Sequence, residues 1–93
     1  MKYNQVTLNK IEKMLGEAGY VLRYERGTFQ SGYCILEDKK VVVLNKFLQL
    51  EGRLNTLLDL FTQLNLDLED LSPESRALHE QMKRELSGKE ASS

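Results

Sequence analysis

Apolar positions recur along this chain in two different periods. Leu8, Ile11, Leu15 and Ala18 fall at helical spacing and make one stripe, while Lys10, Glu12, Lys13 and Glu17 take the wet face. This predicts a first helix that ends near Ala18 and is capped at its start by Asn4 or Thr7. Gly19 fits the left-handed position that closes a helix. The period then becomes two. Tyr20, Leu22 and Tyr24 alternate with Val21, Arg23 and Glu25, as in a strand with one aromatic face and one partly wet face. Residues 26–32 form a loop bracketed by Gly27 and Gly32. Residues 33–37 and 40–45 predict two further strands joined by a tight turn. With Asp38-Lys39 as a two-residue loop, Leu36 lies opposite Val41, Ile35 opposite Val42, Cys34 opposite Val43 and Tyr33 opposite Leu44. One face then carries Tyr33, Ile35, Val42 and Leu44, and the other Cys34, Leu36, Val41 and Val43. Neither face suits water.

Leu50, Leu54, Leu57, Leu58, Phe61 and Leu64 give the strongest helical stripe in the chain and predict a second helix over residues 50–64. The acidic, leucine-rich stretch at 65–71 has room for one helical turn. Ser72-Pro73-Glu74 is a helix start: a capping serine, a proline at the first helical position and an acid in the first turn. The third helix runs to about Leu86 on a thin seam of Ala77, Leu78, Met82 and Leu86. Residues 1–87 are expected to form a single domain, and residues 88–93 a disordered tail.

The predicted order is α-β-β-β-α-α, an α+β domain. Short connections favour a three-stranded antiparallel meander packed by helices. In a meander the third strand, with its Val-Val-Val-Leu run, lies at an edge. An apolar edge without proline or an inward charge has to be covered. Helices can wrap it, the first strand can pair with the third, or two copies can join edge to edge. The last solution makes a homodimer the expected state, with Val41 and Val43 in the contact.

Composition narrows the function classes. The chain has 93 residues and a net charge of −1, which argues against a dedicated polyanion binder. The charge is uneven: residues 1–53 hold nine basic against six acidic residues, and residues 54–93 hold four against eight. Cys34 is the only cysteine, so no internal disulfide can form. The amino-terminal stretch lacks the apolar core of a secretory signal, and no run is long enough to span a membrane. A cytoplasmic location is expected.

No complete catalytic, cofactor or metal motif is present, and no cofactor is expected. His79-Glu80-Gln81-Met82-Lys83 begins like His-Glu-x-x-His, which sets two imidazoles on one helical face toward a metal. Lys83 stands where the second histidine is needed. Asp67, Glu69 and Asp70 cluster before a helix start, where acids complement the helix dipole. Arg23, Arg26, Lys39, Lys40 and Lys46 interleave with Tyr20, Tyr24, Phe29 and Tyr33, a mixture that can stack and neutralise single-stranded nucleic acid. Glu25, Glu37 and Asp38 dilute that patch.

The combination Arg23-Tyr24-Glu25, Gly32-Tyr33-Cys34, Val41-Val42-Val43-Leu44-Asn45-Lys46 and Leu50-Glu51-Gly52-Arg53 resembles a family of short, uncharacterised bacterial proteins over most of the chain. A hairpin followed by an asparagine and a helix is also similar, more distantly, to repressor-associated zinc peptidases. Those carry His-Glu-x-x-His on the helix after the hairpin, and residues 51–64 here contain no histidine. The resemblance implies a small bacterial α+β protein and no metal ligands.

The function expected from these observations is a non-enzymatic interaction module, acting through homodimerisation and binding of another macromolecule. Its contact residues are expected at Tyr24, Arg26, Phe29, Val41 and Val43. Nucleic-acid binding through the basic and aromatic sheet region is the alternative, and a small enzyme with an unrecognised site is a further one.

Overall fold

The computed structural model describes residues 2–26, 32–36 and 39–91, the side chains of residues 33–36 and 88–91 apart. The elements are α1 (Gln5–Glu17), β1 (Tyr20–Glu25), β2 (Gly32–Leu36), β3 (Lys39–Asn45), α2 (Leu50–Phe61), a 3-10 turn (Leu68–Asp70) and α3 (Pro73–Ala91). The architecture is α+β. The antiparallel meander is not what forms. The sheet order is β1-β3-β2, with β1 parallel and β2 antiparallel to β3.

The correction follows from the composition of β3. A strand that is apolar on both faces is poorly placed at an edge, and central strands are where such runs belong. The link of residues 26–31 reaches about 20 Å when extended. Crossing two strand spacings takes only about 10 Å, so β3 can sit between the strands that precede it. With both edges of β3 paired inside one chain, edge-to-edge joining of two copies through β3 is ruled out.

The hairpin register also differs from expectation, by two residues. Leu36 pairs with Lys39, Ile35 with Lys40, Cys34 with Val41 and Tyr33 with Val42. Lys39 therefore joins the sheet as the partner of Leu36, and the expected Asp38-Lys39 turn is not the connection. Because the shift is even, Val41, Val42, Val43 and Leu44 stay on the faces first assigned to them.

Tyr20, Leu22 and Tyr24 of β1 share one face with Val42 and Leu44 of β3. That face receives the helices. Its core gathers Leu8, Ile11, Met14 and Leu15 of α1, Leu54, Leu57, Leu58 and Phe61 of α2, and Leu78 and Met82 of α3. Val41 is buried but lies outside this cluster, on the opposite sheet face. Val21 beside it is 43% exposed.

Local chemistry sets the helix limits. The Thr7 amide donates to Asn4 Oδ1 at 2.9 Å, and Gly19 takes φ 87° just beyond α1. The Ser75 amide donates to Ser72 Oγ at 3.3 Å, capping α3 as the Ser-Pro-Glu pattern requires. The tertiary fold then adds a carboxylate at that cap. Both the amide and the hydroxyl of Ser72 donate to Glu17 Oε1 at 3.2 Å, across 55 residues. α2 is shorter than its stripe suggested and stops at Phe61. α3 continues past Leu86 to Ala91.

Two outcomes are expected. Leu54 is fully buried, and Leu54→Ala should lower stability by about 2–5 kcal/mol in urea unfolding. Glu17 gives a pH signature. Hydrogen bonding from the Ser75 hydroxyl and the Ser72 amide holds its carboxyl below the ordinary 4.5. A folded value below the unfolded one means a contribution complete above 4.5 and lost as pH falls through the folded value. The stability gap between wild type and Glu17→Gln should therefore be largest near neutrality and close in acid, as read from urea midpoints across that range.

Candidate functional site

The parallel pairing of β1 with β3 brings their carboxyl ends together. In sheets with parallel strands this is the end at which sites are usually built. Here it carries the turn of residues 45–49, which leads from β3 into α2.

That turn is held from several directions. The Lys46 amide donates to the Glu25 carbonyl at 2.8 Å, tying the turn to the end of β1. The Phe47 amide donates to Asn45 Oδ1 at 3.0 Å, and the Leu48 amide to the Asn45 carbonyl at 3.1 Å. Arg53, from the first turns of α2, reaches back over the segment. Its Nε donates to the Leu48 carbonyl at 2.9 Å and its Nη2 to the Lys46 carbonyl at 3.1 Å. A planar fork of donors suits this double capture, which a lysine could not make.

Arg53 is itself supported. Its guanidinium stacks 4.8 Å from the centroid of the Tyr24 ring. The Tyr24 hydroxyl donates to Glu12 Oε2 of α1 at 3.0 Å. Burial, reinforced by the negative charge of Glu12, pushes the Tyr24 hydroxyl up to about 12. It therefore stays protonated and keeps donating. Glu12, Tyr24 and Arg53 form a line from α1 through the sheet to the turn.

The product of this bracing is an exposed aromatic. Phe47 is 71% exposed, the most open of the large apolar side chains described. Lys46 beside it is exposed too, as is Arg26 at the end of β1.

The structure distributes the expected contact residues unevenly. Tyr24 belongs to the site, but as a support on the helix-facing side of the sheet. Arg26 is exposed at the same end of the sheet. Phe29 lies outside the described residues. Val41 is 4% exposed and Val43 half-buried, both on the central strand. Lys46 was singled out only as part of the basic patch, and Glu12, Phe47 and Arg53 were not singled out as site residues. The available signal was an aromatic in a connecting turn, off the stripe of the helix that follows.

The other candidates resolve into structural roles. The His79 ring packs edge-on to Phe61 at 5.0 Å between centroids. Burial, with Lys83 nearby, lowers its basicity. Asp67 Oδ1 accepts from the Glu69 amide at 3.0 Å and caps the 3-10 turn. Tyr20 is 5% exposed, and its hydroxyl bonds both the carbonyl and the amide of Asn65. Arg23 pairs with Glu25 at 3.0 Å, and Lys40 lies 5.2 Å from the Tyr20 ring centre. No group of three or more metal-ligating side chains comes together among the described residues. Among them, too, no helix is long and apolar enough to cross a membrane. No family model, curated protein or solved structure matches this chain.

Removing the brace should loosen the turn. Arg53→Ala leaves two carbonyls without their donors and should cost about 1–3 kcal/mol in denaturant unfolding. Amide hydrogen exchange at Phe47 and Leu48 should accelerate more than in the core of α2. Arg53→Lys should not restore the protection, since one ammonium cannot reproduce the fork.

Proposed function

We propose that this protein is an interaction module that works by self-association, with the turn of residues 45–49 as its docking element. The observation that carries the reading is Phe47, a 71% exposed aromatic on a turn already fixed by hydrogen bonds. Interface hot spots are rigid, bulky side chains of this kind, because little conformational freedom remains to be lost on binding. Val21, Val6 and Leu68 add further exposed apolar surface.

The polar groups at the site support binding over catalysis. Tyr24 keeps its proton, Glu12 accepts from it, and Arg53 spends donors on backbone carbonyls. Each has a structural partner that it would have to leave before taking part in a reaction. The nucleic-acid reading loses part of its stacking platform, since Tyr20 is buried and Tyr24 is half-buried beneath Arg53. A lone cysteine suits a reducing compartment, and we place the module in the bacterial cytoplasm.

Sedimentation across concentration tests the reading. The apparent mass should rise from 10.7 kDa toward twice that value between about 1 and about 100 µM. A mass that stays at the monomer value over that range would overturn it.

A further inference from the structure

At the far end of α2 from Phe47 lies an open groove, between the last turn of α2 and the second half of α3. Its apolar wall is made by Phe61, Leu64 and Leu86, and Thr62, His79, Lys83 and Ser87 complete the lining. The volume is about 340 Å³, ample for an aromatic side chain. The His79 ring, held edge-on to Phe61, lines the groove, and Lys83 can lie over the face of an incoming ring.

We propose that this groove receives Phe47 of a second copy of the chain, and that the exchange is reciprocal about a two-fold axis that runs beside α2 and perpendicular to it. The placement rests on the self-association proposed above and names its contacts. Three observations support it. Phe47 is the most exposed large apolar side chain described, and it is held by its turn. Phe47 and the groove stand at opposite ends of one helix. α2 spans 12 residues, about 18 Å of axis. A two-fold axis beside the middle of α2 and perpendicular to it sets two copies side by side and antiparallel, so that each Phe47 reaches the other copy's groove. One contact made twice closes at two copies.

Charge supplies the third. Lys46, next to Phe47, would arrive at the carboxyl end of the second copy's α2. That end carries the negative pole of the helix and the exposed Asp59, one turn before Thr62.

Sedimentation of surface variants tests the docking. Phe47→Ser removes the ring, and Ser87→Trp fills the groove. Both positions are exposed, so circular dichroism and the thermal midpoint should remain near those of wild type. Thr62→Trp, also exposed and also lining the groove, serves should Ser87→Trp perturb α3. Each variant alone should associate about thirtyfold or more weakly than wild type. Mixing Phe47→Ser with Ser87→Trp should restore a heterodimer, because that pair keeps one intact contact. Leu68→Ser, at an exposed apolar position away from both features, should associate like wild type. Variants of Phe47 and of the groove that dimerise as tightly as wild type would overturn this docking and leave self-association to another surface. A wild type that remains monomeric would overturn both. Growth of the wild type beyond two copies would overturn the two-fold closure.

Discussion

The rest of the structure depends on one constraint: β3 is apolar on both faces and cannot be left at an edge. Val42 and Leu44 point to the helices and are fully buried, while Val41 is buried on the other side of the sheet. The backbone pairs on both sides, with β1 and with β2. Once β3 is central, β1 must run parallel to it. The carboxyl ends of β1 and β3 then meet, and the exit from β3 can be tied to Glu25. The braced turn of residues 45–49 exists because the strand order is 1-3-2.

Polar contacts between distant segments complete what the core begins. Glu17 closes the amino end of α3, Tyr20 holds the segment after α2, and Glu12 steadies Tyr24 beneath Arg53. Each is modest in energy, since folding exchanges hydrogen bonds with water for hydrogen bonds within the chain. Their value lies in position. They join α1 to α3, β1 to the segment after α2, and α1 through β1 to the entry of α2. No buried side-chain polar atom among the described residues lacks a partner. The turn that bears Phe47 inherits its rigidity from this arrangement.

The elements themselves were legible. Helical stripes located α1 and α2, and the Ser-Pro-Glu start located α3. Alternation found β1 and its inward aromatic face. β3 was legible in its faces but not in its register, because side chains alternate with period two and an even slip changes no face. Val41 and Val43 stood out because an edge position was expected for β3, and the structure makes that strand central. Arg53 entered only within a resemblance and Phe47 not at all, because the contacts that brace their turn join distant segments.

By itself, the sequence determined where helices and strands form, which side of each is apolar, and that the apolar strand needs cover on both faces and along its edges. These are local properties, carried by spacing and by capping chemistry within a few residues. Only the tertiary structure decided which strand supplies that cover, and so whether β1 runs parallel or antiparallel to β3. Pairing energies for the two orders differ little in a short sheet. The choice rests on the joint packing of three helices against one face and on the reach of a six-residue link. The same choice sets Glu12, Tyr24, Arg53 and Phe47 side by side, a neighbourhood built from residues up to 41 positions apart.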